Sequence, residues 1–280
     1  MVRMAARRLE VGSAHTLDLA RDVLGLEGHP GAASAAVFQL LGTDPRFLVD
    51  AEGVWRLDPT LAPFGAPLPE VPFAVVDVET TGGASWRGHR IIEIAIVEVR
   101  GGRIVEEFQT LINPGHAVPP SIVALTGITT DMVRQAPYFD HLADAIHGRL
   151  AGRVFVAHNA TFDWGFVSAE LIRAASDVPG VPRLCTVRMA RRLATGLRRR
   201  NLDVLARHFG IEIQGRHRAY GDALATARVL IRLLDEASGR GIEDLETLRW
   251  YLRRRRQRKR RDAGQFSLNL PGYEPKRRRG

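Results

Sequence analysis

Val75-Val76-Asp77-Val78-Glu79-Thr80-Thr81-Gly82 reads as a short buried β-strand that runs into a tight turn. Asp77 and Glu79 are two residues apart, so on a strand both side chains leave the same face. Two carboxylates on one face of a buried strand repel each other and lose hydration. A hard cation between them relieves both penalties, and Mg²⁺ or Mn²⁺ suits oxygen ligands of this kind. The alternative is a strand end with two solvated acids.

The residues around this stretch, 73–238, alternate strand and helix signals. Strands are expected at 73–79, 90–100 and 103–112, the last two joined at Gly101-Gly102 as a hairpin. Helical pieces follow around 120–125, 130–134 and 139–150. A buried strand is expected at 154–157, a helix at 162–174 and a short strand at 184–186. Helices are expected at 187–193, 202–209 and 219–236. A three-stranded meander followed by strands alternating with helices predicts an α/β domain, a mixed sheet with helices on both faces.

Working outward, 59–72 holds five prolines and reads as a semi-stiff linker. Residues 1–58 read as a small unit of their own. A first helix is expected at 3–11. Thr16 is the expected N-cap of a second, which closes at Gly25 or Gly28. Pro30 opens a third, with Ala33, Val37, Leu40 and Leu41 inward. Phe47 and Val49 then alternate against Trp55 and Leu57 across Asp50-Ala51-Glu52-Gly53, a hairpin signal. Three short helices and a hairpin resemble a winged helix, a module that contacts either DNA or protein.

The net charge of +9 is unevenly placed. Residues 253–280 hold 12 Lys/Arg against Asp262 and Glu274, while the rest of the chain carries 28 basic and 29 acidic side chains. A near-neutral body with a basic helix and flexible tail at 239–280 implies a polyanionic partner, most simply nucleic acid; the alternative is a solubility tail. Deleting 253–280 is expected to weaken nucleic-acid binding and flatten its salt dependence. One cysteine, Cys185, excludes an intrachain disulfide and fits a cytoplasmic protein. No apolar run is long enough to span a membrane, and no signal-peptide pattern opens the chain.

Two further acidic motifs complete the opening pair. His158-Asn159-Ala160-Thr161-Phe162-Asp163 lies where a strand hands over to a helix, and Asp163 falls in the first helical turn. His217-Arg218-Ala219-Tyr220-Gly221-Asp222 leads into the long helix, with His217 in a loop five residues before Asp222. These three motifs, in this order, resemble the DEDDh 3′→5′ exonucleases, which include the proofreading ε subunit of bacterial DNA polymerase III. Ile91-Ile92-Glu93-Ile94-Ala95, Asn113-Pro114, Leu125-Thr126-Gly127-Ile128 and Cys185-Thr186 add to the resemblance, which covers roughly 73–236. A sister subfamily carries a tyrosine four residues before the last aspartate; here that residue is Arg218, so the resemblance gives the base role to His217.

The resemblance implies an RNase H-like fold and a site for two Mg²⁺ (or Mn²⁺) ions. Asp77, Glu79 and Asp222 would hold the first and Asp77 with Asp163 the second, with no small-molecule cofactor. Two such ions clamp both sides of an in-line displacement, and the product is a nucleoside 5′-monophosphate. Thr80, Thr81 and Gly82 would meet the terminal nucleotide, with Gly82 permitting close approach. His158 and Asn159 either touch the terminal phosphate or hold the loop. Leu125 would wedge against terminal bases, and Phe162 either stacks on a base or packs in the core. Trp86, in a longer turn than the family usually has, is a stacking platform or a loop anchor.

The expected activity is a 3′→5′ exonuclease on single-stranded or frayed DNA ends in replication proofreading or repair. The alternatives are an exoribonuclease and a non-catalytic nucleic-acid-binding protein. About 70 residues precede the exonuclease domain, which favours a free-standing or auxiliary enzyme over a polymerase-bound subunit. Gln265-Phe266-Ser267-Leu268-Asn269-Leu270 resembles the short peptides that dock on the bacterial sliding clamp, through Gln265, Leu268 and Leu270.

Overall fold

The computed structural model describes residues 1–44, 46–57 and 65–253. Helix α1 (Val2–Glu10) leads to a two-residue strand β1 (Ala14–His15), then α2 (Thr16–Leu24) and α3 (Pro30–Leu41), and the hairpin β2 (Phe47–Val49) and β3 (Val54–Leu57). The three strands form a small antiparallel sheet in the order β1-β3-β2. Trp55 is its anchor. The ring is fully buried, Phe38 meets it edge-on at 5.0 Å, and its Nε1 donates to Thr16 Oγ1 at 2.9 Å. The Thr16 hydroxyl in turn donates to the Gly53 carbonyl at 2.8 Å. With that hydroxyl engaged, the cap of α2 falls one residue earlier than expected, and His15 Nδ1 accepts from the Leu17 amide. Gly25 closes the helix in the left-handed conformation.

The second half of the proline-rich segment packs into the main body. Leu68 and Val71 are buried in its core, and the Leu68 amide donates to the Glu243 carbonyl at 2.9 Å. Arg46 reaches Asp244 at 3.5 Å, so an ion pair also ties the N-terminal unit to this edge.

The main body is built on a five-stranded sheet: β4 (Phe73–Thr80), β5 (Ile91–Arg100), β6 (Arg103–Leu111), β7 (Val154–Ala157) and β8 (Arg183–Cys185). Strand order is β6-β5-β4-β7-β8. Strands β4, β5 and β6 are an antiparallel meander, whereas β7 joins β4, and β8 joins β7, in parallel. The expected mixed sheet with helices on both faces is therefore the observed one. Helices α4 (Pro120–Thr126), α5 (Thr130–Arg134), α6 (Ala143–Leu150) and α7 (Ala160–Arg173) follow the meander and β7. Helices α8 (Thr186–Leu193), α9 (Leu202–His208), α10 (Ala219–Ser238) and α11 (Leu245–Arg253) follow β8.

Period-two alternation on β4 decides which helices meet the acids. Ala74, Val76 and Val78 join the core that contains α6 and α7. Phe73 and Val75 join the core that contains α8, α9 and α10. Asp77 and Glu79 continue this second face towards the end of the strand. Helix α10 packs on it through Ala219, Ala223 and Ala227, all fully buried, whose small side chains let the helix lie close to the sheet. No described helix is long and apolar enough to cross a membrane. Residues 254–280, including Gln265, Leu268 and Leu270, lie outside the described residues, as do Pro59 and Pro63 of the proline-rich segment.

Candidate active site

The end of β4, the first turn of α7 and the first turn of α10 converge. One carboxylate oxygen each from Asp77, Glu79 and Asp222 lies within 4.8 Å of the others. Asp163, 3% exposed on α7, adds a fourth acid next to Asp77, and Asp222 is 4% exposed. Each element contributes for a local reason. Asp77 and Glu79 share a strand face. Asp163 sits four residues into α7, where its carboxylate meets the amide end of the helix. Asp222 holds the same position on α10.

This crowding shows in the proton affinities. Burial, then the charges of Asp163, Asp222 and Glu79, raise the Asp77 carboxyl well above the carboxylate range. Burial, then Asp222 and Glu93, push Glu79 up to about 7. Burial pushes Asp163 up to about 8 although backbone amides favour its ionised form. Asp222 is also raised by burial, against the pull of Arg216.

Arg216 donates from Nη1 to Asp222 Oδ2 and from Nε to Asp203 Oδ1, the second bond at 2.9 Å. Asp222 Oδ1 is buried with no hydrogen-bond partner among the described residues. An orphaned carboxylate oxygen within reach of two more acids is the donor set of a hard divalent cation, so these residues fit Mg²⁺ or Mn²⁺.

The loop before α10 carries His217 in the left-handed conformation, φ 61°, with its amide donating to Asp222 Oδ2 at 3.3 Å. That loop lies hard against the helix at Gly221. A Cβ there would stand 2.0 Å from the Gln214 carbonyl oxygen and 2.5 Å from that of Gly215. Gly221 thus holds Arg216 and His217 over the acids, a role the sequence reading missed.

A second missed group is Glu93, which pairs with Glu79 in the β4–β5 register and is 3% exposed. Its oxygens take Arg218 Nη2 at 2.6 Å, Arg218 Nε at 3.1 Å and the Ala219 amide at 2.9 Å. A carboxylate from β5 therefore caps α10 and fixes where Asp222 points. The sequence signal was an acid inside the apolar run Ile91-Ile92-Glu93-Ile94.

The expected substrate contacts divide. Thr80 is buried and donates its hydroxyl to the Gly82 carbonyl at 2.7 Å. Thr81 is also buried, its amide bonded to the Arg90 carbonyl and its hydroxyl to the Arg90 amide. Both hydroxyls shape the turn, because a buried turn must satisfy its own polar groups. The group that closely approaches Gly82 is the His89 ring, 2.3 Å from where a Cβ would stand, so the glycine serves a packing contact within the chain. Nδ1 of His158 sits 2.9 Å from Thr186 Oγ1. Burial, then Arg216, hold this imidazole down to about 4, so it is neutral at pH 7. Asn159 takes a left-handed conformation where β7 turns into α7. Phe162 is half-buried against Phe166 at 5.0 Å in the α6–α7 core. Leu125 and Trp86 are 51% and 79% exposed. Beneath Trp86, Ser85 bonds to the Gly165 carbonyl, which fixes its turn on α7.

A mixed sheet with four acids gathered where its central strand meets two helix starts defines an α/β protein with a candidate divalent-metal site. Residues 74–230 match the RNase T family, described as Exonuclease, and the chain belongs to that family. A Mycobacterium tuberculosis protein whose name pairs exonuclease with endonuclease is 42% identical over 195 residues, 66% of this chain and 30% of that protein. The 3′-5′ exonuclease DinG of Bacillus subtilis is 37% identical over 164 residues, 59% of this chain and 18% of its own. The chain thus spans less than a third of either relative. E. coli exonuclease I, solved in complex with a dT13 oligonucleotide, shares the fold at a TM-score of 0.53 and 19% identity, over 61% of this chain and 43% of that one.

Proposed function

We propose that the chain is a metal-dependent 3′→5′ exonuclease that acts on single-stranded or frayed DNA 3′ ends and releases nucleoside 5′-monophosphates in replication proofreading or repair. The observation that carries this reading is the convergence of Asp77, Glu79 and Asp222, with an orphaned oxygen on Asp222. Asp77, Glu79 and Asp222 would hold one Mg²⁺ or Mn²⁺, and Asp77 with Asp163 a second. When bound, such ions supply charge neutralisation on both sides of an in-line displacement at phosphorus.

The chain's own groups do the rest. His217 takes the proton of the attacking water at its imidazole. Glu93 and Arg218 keep the start of α10 in place. Leu125 and Trp86 offer apolar surface to unstacked bases, a mode that does not discriminate sequence. Residues 1–58 are a winged-helix-like unit that contacts DNA or a protein, 59–72 its connection, 73–238 the exonuclease domain and 239–280 a basic extension. The single cysteine supports a cytoplasmic protein. The name of the Bacillus relative supports the polarity, and the oligonucleotide bound to E. coli exonuclease I supports a DNA strand.

A time course on 5′-labelled single-stranded DNA and its RNA counterpart, with Mg²⁺ and with EDTA, tests the reading. A metal-dependent ladder shrinking from the 3′ end, faster on DNA, is the expected result. A faster ladder on RNA transfers the reading to RNA ends, and binding without a ladder reduces it to a nucleic-acid-binding protein. In the same assay Gly221→Ala is expected to lower kcat about 100-fold, because the methyl displaces the loop that carries His217. Far-UV circular dichroism should show α10 retained, since alanine favours helix over glycine by about 1 kcal/mol.

A further inference from the structure

Helices α7, α8 and α11 and strand β8 line a cleft of about 600 Å³. Its walls carry Arg183, Arg188, Arg249 and Arg253 and no acidic residue. Arg249 is paired with Glu246 at 2.9 Å. Arg183 lies over the ring of Trp164 at 5.2 Å, and that ring is fixed edge-on against Phe155. Arg188 and Arg253 have no acidic partner among the described residues. Arginines that face one cleft without counter-charges repel one another until an anion fills it. One wall, α11, lies beyond the residues 74–230 that match the exonuclease family.

We infer that this cleft is a second nucleic-acid subsite, which holds the phosphodiester backbone of a single strand. Arg188 and Arg253 bind phosphates, while Arg183 and Trp164 form a stacked platform at its wall. The charge pattern fits a strand of successive phosphates rather than a single anion, since Arg188 and Arg253 stand on different walls, α8 and α11. The inference rests on nucleic acid being what the acid site acts on.

The test is the binding of a labelled single-stranded DNA of about 20 nucleotides to the full chain, followed by fluorescence anisotropy in EDTA so that no cleavage is needed. Arg188→Gln/Arg253→Gln is expected to raise Kd about tenfold and to lower the slope of log K against log salt by about 1.4, near 0.7 per lost phosphate contact. Arg100→Gln/Arg103→Gln removes the same charge from the β5–β6 turn and is expected to leave both nearly unchanged. Both arginine pairs are exposed, so folding is checked by Tm. If the first double variant misfolds, Arg188→Gln alone should lower the slope by about 0.7. An unchanged Kd and slope in a folded variant, or equal losses from the two pairs, overturns the subsite. Absence of a cleavage ladder with a cleft-dependent Kd would remove the proposed chemistry and leave the subsite standing.

Discussion

Asp77→Asn is expected to abolish metal-dependent cleavage and, in the same protein, to stabilise the metal-free fold. Asp77 carries the most crowded carboxylate of the four, with its proton affinity raised by burial and by three other acids. Asparagine keeps the shape and removes the charge. Loss of a ligand shared by both proposed ions is expected to cost at least about 4 kcal/mol of transition-state stabilisation, roughly 10³-fold in rate. Without metal, the substitution removes repulsion from a site that has no cation to offset it. Tm in EDTA at about pH 8 should therefore rise by a few degrees, and Mg²⁺ should no longer raise it further. The two readouts move in opposite directions, which separates a site residue from a structural one. A lower Tm together with lower activity would make Asp77 part of the scaffold.

Metal-free stability is expected to fall as pH rises from about 4 to 8, and Mg²⁺ to restore it most at the upper end. In the unfolded chain these acids ionise near pH 4. In the folded chain Glu79 keeps its proton to about 7 and Asp163 to about 8, and Asp77 and Asp222 are raised as well. Between those limits the unfolded chain binds fewer protons than the folded one. The stability these groups contribute is complete below pH 4 and is lost as pH passes through 7 and 8. A fall in Tm of about 5 °C between pH 5 and 8 in EDTA, removed by millimolar Mg²⁺, is the expected result. Scanning calorimetry at each pH checks it, and a Tm that rises with pH in EDTA would contradict the crowding.

Much of this architecture was legible from neighbouring residues. Short apolar runs placed β4 and β7, and the spacing of Asp77 and Glu79 put both on one face. Motif order brought Asp163 and Asp222 to the starts of two helices. These features depend on backbone periodicity and on contacts within a few residues, which one sequence states directly.

What only the tertiary structure decided involves partners far apart in the chain. Glu93 and Arg218 are separated by 125 residues and Arg90 and Glu170 by 80, and neither pairing leaves a local pattern. Thr16 was the right residue type for a cap, yet Trp55, 39 residues on, takes its hydroxyl and shifts the cap to His15. Gly82 and Gly221 were readable as glycines, but the His89 ring and the Gln214 carbonyl that require them are folded-state neighbours. Sequence determined which chemical groups the chain has and which face each takes. The fold decided which of them remain unpartnered, because hydrogen-bond and charge satisfaction depend on every element that packs around a group.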